Sequence, residues 1–285
     1  MKKFTLGVTV AAGLALSSGM ALAEGHSPEM LELVINGETM ISHAPAPSHM
    51  DIDEVISGWE FRTVETQALE LDDFDNPGMI FVDQAIDDWN AVDGAAGKAC
   101  ASCHEGGPEE FAGLRTVLPR WDDAQNAMWS KEDYINYCRT ERMQAEPIGW
   151  GKARLDAMVA LISLQSRGMP MNVAIDGPVA DMWEQGRELY YTRVGQLDMA
   201  CSNCHEDNYG NMIRADHLSQ GQVNGFPAYR LKNAKLNSIH NRFSGCMKNI
   251  RAQPFGVGSP EFRALELYVA SRGNGLSSEG PSVRN

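Results

Sequence analysis

Apolar residues recur along this chain at helical rather than strand spacing. Met79, Val82, Ile86 and Trp89 follow one another at three- and four-residue intervals, and Val179, Met182, Trp183, Gly186, Leu189 and Tyr190 do the same in the second half. That spacing puts side chains on one face of an α-helix. Leu155, Met158, Val159 and Ile162 form a further apolar stripe, and Phe262, Leu265 and Val269 form its counterpart. Gly168 and Gly273, each directly after an arginine, are stop signals for these later helices. Strand-like alternation is weak throughout, so the pattern predicts an all-α chain.

The stripes belong to a duplication, and self-similarity of this kind fixes the architecture before any single element does. Gln144-Ala145-Glu146-Pro147-Ile148-Gly149-Trp150-Gly151 matches Arg251-Ala252-Gln253-Pro254-Phe255-Gly256-Val257-Gly258, and Ser166-Arg167-Gly168 matches Ser271-Arg272-Gly273. Two similar tandem domains are expected, residues 76–174 and 175–285, related by a pseudo-two-fold axis. The linker falls between Met169-Pro170-Met171 and Gly177-Pro178. Residues 24–75 have no partner in the repeat. Their prolines (Pro28, Pro45, Pro47) and many acids predict an extended segment wrapping the first domain, with no function assigned to it.

Ahead of that segment, Met1-Lys2-Lys3, an apolar run from Phe4 to Leu16 and Ala21-Leu22-Ala23 make a positive start, an apolar core and an A-x-A cleavage site. Residues 1–23 read as a signal peptide, and the apolar run is too short for a membrane anchor. No later stretch is apolar enough to span a bilayer. A soluble protein exported to a bacterial periplasm is expected.

The net charge of −14 makes nucleic acid an unsuitable partner. The charge is uneven. Acids crowd the stretch from Asp51 to Asp88, whereas none lies between Asp216 and Glu261, where Arg230, Lys232, Lys235, Arg242, Lys248 and Arg251 are found. Such an acid-free stretch either presents cations to an anion or is an ordinary solvated surface.

The chemistry is carried by Cys100-Ala101-Ser102-Cys103-His104 and Cys201-Ser202-Asn203-Cys204-His205. C-x-x-C-H is the attachment signature of c-type haem. Two thiols add to the two vinyl groups of one porphyrin, and the histidine reaches the iron from one face. Zinc is the alternative for paired C-x-x-C units, but these pairs lie too far apart for usual zinc spacings, and zinc does not require the following histidine. A thioredoxin-like motif would not recur with that histidine in both places. Two covalently bound c-type haems are expected, with His104 and His205 on the iron.

Two cysteines remain, at nearly equivalent places in the repeat: Cys138 before Pro147 and Cys246 before Pro254. A disulfide between them needs Cα atoms within about 7 Å, which equivalent positions in separate domains do not offer unless they straddle the domain axis. Buried free thiols are a second option. The third is that each sulfur is the second axial ligand of its own haem, since thiolate is an established iron ligand. Met128 and Met143 are rival ligands for the first haem, and Met212, His217, His240 and Met247 for the second, but none recurs in both halves. Cys246 lies within the acid-free stretch. Nearby cations favour its reactive thiolate, and Ser244-Gly245 permits a turn that exposes it. The planar donor fork of Arg242 suits an oxyanion such as a sulfonate, and Lys248 offers a second charge.

With these motifs the chain resembles the SoxA family, the dihaem catalytic subunits of the SoxAX cytochrome complexes of bacterial thiosulfate oxidation. The resemblance covers both repeats. It rests on Cys100–His104 with Cys138, and on Cys201–His205 with Arg242-Phe243-Ser244-Gly245-Cys246. It implies oxidative conjugation of thiosulfate to a cysteine of the sulfur carrier SoxYZ, with electrons leaving through haem to a cytochrome c. It implies a heterodimer with a SoxX-like monohaem subunit, Cys246 as both axial ligand and active thiol, Arg242 on the anion, and a first haem far from the substrate. A dihaem electron carrier and a dihaem peroxidase are the competing functions.

Overall fold

The computed structural model describes residues 32–285. The expected signal peptide, residues 1–23, and the start of the 24–75 extension lie outside the described residues. The helices are α1 (Val64–Ala68), α2 (Met79–Asn90), α3 (Lys131–Tyr137), α4 (Ala153–Leu164), α5 (Ala180–Tyr191), α6 (Cys201–His205), α7 (Ile239–Asn249) and α8 (Pro260–Ser271).

The duplication is plain in the packing. Each repeat lays its opening helix on its closing helix, α2 on α4 and α5 on α8. In the first repeat Val82, Ala85 and Trp89 of α2 meet Ala157, Met158, Leu161 and Ile162 of α4. In the second, Tyr190 of α5 joins Phe262, Leu265, Tyr268 and Val269 of α8. Burying each large side chain contributes about 1.5–3 kcal/mol. The α5–α8 crossing is close: a Cβ at Gly186 would lie 2.0 Å from the Ala264 carbonyl oxygen. Only glycine fits this crossing.

The sequence stripes are borne out unevenly. Leu155, Met158, Val159, Ile162, Phe262, Leu265 and Val269 are all buried. Ile86 is not; it is exposed, and Ala85 takes the inward position. Moreover α4 is buried on all sides from Leu155 to Ser163, because it packs against α2, α3 and the strand Lys235–Asn237 of the other repeat.

The all-α expectation is too simple. A short antiparallel pair precedes the cysteine-bearing helix of each repeat: Arg120–Asp122 with Ala127–Trp129, and Ala228–Arg230 with Lys235–Asn237. The C-terminal strand Ser282–Arg284 adds to the second pair in parallel. Strands of three residues are too short to show alternation.

The N-terminal extension is also placed differently from expectation. It forms two small hairpins, Val34–Ile35 with Glu38–Thr39 and His43–Pro45 with Glu54–Ile56. Its bonds run mainly to the second repeat and the C-terminal segment, not around the first domain. Ile41 exchanges bonds with Ser277, the Ile56 N–H donates to Gln220 Oε1, and Arg62 reaches the His217 carbonyl. Unpaired backbone groups must find partners when buried, and the second repeat supplies these. Its link to the first repeat includes a bidentate ion pair between Asp73 and Arg167.

Candidate functional site

Each C-x-x-C-H motif forms a short helical turn. Cys100–Ser102 is a single 3₁₀ turn, with the His104 N–H donating to the Cys100 carbonyl, and the second motif is α6. Helical spacing sets the two cysteines on one side with the histidine beside them. The middle polar residue closes both turns: Ser102 Oγ accepts from Ala99 N–H at 2.9 Å, and Asn203 Oδ1 from Ala200 N–H at 2.9 Å.

The loop before each motif is pinned to the end of the helix that carries the remaining cysteine. Ala95 and Ala96 donate to the carbonyls of Gln144 and Met143, and Gln196 and Leu197 to those of Arg251 and Ile250. Gly94 and Gly195 make this possible. Both have positive φ, and a Cβ would lie 2.3 Å from Met143 O or 2.4 Å from Ile250 O. Each repeat therefore docks its haem motif directly against its own Cys138 or Cys246 helix.

In the second repeat this brings Cys201, Cys204, His205 and Cys246 onto the wall of one cavity of about 210 Å³. Its other walls are largely apolar and include Leu189, Phe243, Leu265 and Val269. His205 Nδ1 lies 2.7 Å from the Ser219 carbonyl oxygen. A carbonyl only accepts, so Nδ1 carries the proton and the Nε2 lone pair remains available. Cys246 and His205 line the same cavity, close enough for the imidazole to act on the thiol. Burial pushes the Cys246 thiol up, but Arg242, His205 and Arg230 outweigh it and bring it down to about 7. Cys201 is pushed up to about 12, first by burial and then by the neighbouring Cys246 and Cys204 sulfurs. Two thiols, an imidazole with a free Nε2 and a further sulfur lining one largely apolar cavity fit a c-type haem.

The first repeat assembles the same set. Burial raises the Cys100 thiol, and the Cys138 sulfur adds to it. Burial raises Cys138 too, with Arg142 opposing and Cys103 adding. Cys138 begins a π-helical turn, Cys138–Met143, continuous with α3. The His104 ring packs 5.5 Å from Trp89 and 5.0 Å from Phe111. These residues also fit a haem.

All six cysteines are free, so the disulfide between Cys138 and Cys246 is not formed. Among the rival ligands, Met128 is buried in the apolar core of the second repeat. His240 is occupied: its Nδ1 accepts from Gly258 N–H at 2.9 Å, and its Nε2 donates to Glu266 at 3.1 Å. Met212 is exposed. His217 and Met247 do line the cavity with Cys246.

Arg242 lines the cavity one helical turn before Cys246. Lys248 does not: it is exposed, because two residues beyond Cys246 the helix has turned to its far side. Ser244 and Gly245 form no turn either; α7 runs unbroken through them. The structure instead adds Arg62, Arg230 and Arg284 to the cavity wall, with Asp216. Arg62 and Arg284 come from the two ends of the chain, and nothing in the local sequence marks them. Arg230 belongs to the acid-free stretch. Arg62 and Arg230 pair with Asp216, and Arg284 with Glu70 and Glu279. Among the described residues, only Arg242 of these four arginines has no carboxylate partner.

The family described as SoxA/TsdA, cytochrome c domain, matches residues 84–171 and 185–277. The L-cysteine S-thiosulfotransferase subunit SoxA of Rhodovulum sulfidophilum is 54% identical over 291 residues, covering 100% of both chains. That of Paracoccus pantotrophus is 54% identical over 286 residues, covering 99% of this chain and 98% of its own. The crystal structure of SoxXA from P. pantotrophus aligns with a TM-score of 0.86 at 55% identity, over 89% of this chain and 98% of that one.

Proposed function

We propose a function from one premise: the chain belongs to the SoxA/TsdA cytochrome c family, as a SoxA protein. It is the L-cysteine S-thiosulfotransferase subunit that joins thiosulfate oxidatively to the cysteine of a sulfur-carrier protein of the SoxYZ kind. The carrier thiol and the thiosulfate dianion become a carrier S–S–SO₃⁻ group, one proton and two electrons. A new sulfur–sulfur bond forms and no bond within thiosulfate breaks.

The observation that carries this reading is the pairing of Cys246 with Arg242 one turn away, on the same cavity wall as His205. Cys246 supplies the nucleophilic sulfur, passing through a sulfur-bearing state before the carrier cysteine takes the product. Arg242, with no internal acid to satisfy, holds the sulfonate oxygens through its donor fork. Arg230 and Arg62, tethered by Asp216, keep the surrounding field positive.

The chain carries two c-type haems in this reading. Cys100 and Cys103 would hold one covalently, with His104 and Cys138 as its iron ligands. Cys201 and Cys204 would hold the other, with His205 and Cys246 as its iron ligands. Haem bound in these places supplies one-electron transfer and a route for electrons out of the site. The residue blocks 76–174 and 175–285 are the two haem domains. A monohaem SoxX-like subunit completes a heterodimer, in keeping with the SoxXA structure that this chain resembles. A separate cytochrome c takes the electrons, in the periplasm to which residues 1–23 direct the chain.

The test is Cys246→Ala. The variant should keep two haems per chain by mass, because Cys201 and Cys204 hold the second covalently. It should alter one haem spectrum and lose conjugation of thiosulfate to the carrier. Near wild-type conjugation would return the protein to the electron carriers.

A further inference from the structure

The two haem sites, alike by duplication, differ in what each motif histidine donates to. His205 Nδ1 faces the Ser219 carbonyl, a neutral dipole, at 2.7 Å. His104 Nδ1 faces a carboxylate, Glu110 Oε2, at 3.3 Å. That carboxylate is held in place. Its other oxygen accepts the Gly106 N–H at 2.7 Å. The backbone turns at Gly107, with φ of 79°, into the 3₁₀ turn Pro108–Phe111, which swings Glu110 back over the motif. Phe111 of the same turn packs on the His104 ring at 5.0 Å. The second repeat has no counterpart: its histidine is met by the segment Leu218-Ser219-Gln220.

The chemical consequence follows from the acceptor's charge. A carboxylate draws the Nδ1 proton more strongly than a carbonyl does and gives the ring imidazolate character. Nε2 then becomes a stronger donor, which favours the ferric over the ferrous state of a bound iron. We propose that Glu110 is a positioning residue. It fixes the tautomer of His104 and holds the haem of the first repeat at a lower potential than a carbonyl acceptor would. The two haems are thereby set apart by one carboxylate, with the first kept oxidised. This rests on the proposed haem attachment at His104 and not on the thiosulfate chemistry.

Glu110→Gln in the haem-loaded full chain tests it. Glutamine keeps the shape and can still accept from Gly106, but it removes the charge. A merely structural role would leave the potential alone. Redox titration followed by visible and EPR spectra should show one haem easier to reduce. Its ratio of reduced to oxidised form at a fixed ambient potential should rise about tenfold, which is 59 mV for one electron. The other haem is the internal reference and should not move. Cys138→Met marks which signals belong to the first repeat. Unchanged potentials, or equal shifts at both haems, overturn the inference. Should the glutamine variant lose haem, Glu110→Asp serves, since its shorter side chain draws the charge back from Nδ1. It too should make the first haem easier to reduce, and an unmoved potential is again fatal. A wild-type peptide with Cys100 and Cys103 free of haem by mass removes the first haem site and this inference together, while leaving the reading of Cys246 intact.

Discussion

Arg62 forms an ion pair with Asp216, and through it the N-terminal extension reaches the cavity that holds Cys246. The Arg62 side chain is only 4% exposed and also donates to the carbonyls of Gly58 and His217. Among the described residues its partner Asp216 is the single carboxylate on that wall, shared with Arg230. The extension is thus part of the site's electrostatics as well as its cover.

Arg62→Gln should therefore act twice. Losing a charge-assisted contact at a largely buried position costs about 1–3 kcal/mol, several degrees in Tm. Asp216 would then neutralise Arg230 more fully and lower the positive field at the cavity. A thermal melt together with the thiosulfate dependence of conjugation checks this. A lower Tm with unchanged thiosulfate dependence would confine Arg62 to a structural role.

Arg242→Ala should weaken thiosulfate use by about 10- to 150-fold, corresponding to about 1.5–3 kcal/mol for a charge-assisted contact. It should alter the haem spectra little, because it removes a cation and not a ligand. Lys248→Ala, on the solvent side of α7, should leave both nearly unchanged. Equal losses in the two variants would show that the anion is attracted by general surface charge.

Cys138→Met should change the spectrum and raise the potential of one haem while leaving conjugation largely intact. A thioether donates less charge to ferric iron than a thiolate does, and Cys138 is not among the residues lining the cavity that holds Cys246 and Arg242. Visible spectra identical to wild type would show that Cys138 is not a ligand.

Asp156 supplies a pH prediction that involves none of the proposed haem ligands. It is 1% exposed in α4, and both carboxylate oxygens lack hydrogen-bond partners. Burial first, then the charge of Glu132, raises its pKa to about 8. The folded chain then holds a proton that the unfolded chain releases above its ordinary carboxylate pKa near 3.8. The raised pKa stabilises the fold at low pH, and this contribution is lost progressively as pH rises from about 4 to about 8. Asp156→Asn keeps the neutral shape and should gain stability relative to wild type across that window, on the order of a few kcal/mol by its upper end. Parallel curves of Tm against pH for the two proteins would disprove it.

The haem motifs, the duplication and the closing helices could be read directly from the residues. Each depends on local spacing: two cysteines and a histidine within one helical turn, an apolar residue every third or fourth position, matched Pro-x-Gly segments after Cys138 and Cys246. Local periodicity is a backbone property, so the sequence alone determined it. The short strands such as Arg120–Asp122 are not legible in the sequence because three residues carry no period. Ile86, on the predicted stripe, lies one step off the buried face because α2 turns Ala85 inward.

The site itself was only half legible. Cys246 and Arg242 stand four residues apart on one helix, so their alliance could be read from α7. Whether Lys248 joined them depended on which face of α7 met the cavity, and packing against the second repeat turned it outward. His205 and Cys246 come to one cavity wall as the loop at Gly195 docks against the end of α7. Arg62 and Arg284 reach the same wall from opposite ends of the chain, and His104 and His205 gained different acceptors from segments with no shared pattern. Such convergence is decided by long-range packing and by the demand that every buried charge find a partner. No local spacing encodes it, and only the tertiary structure settled it.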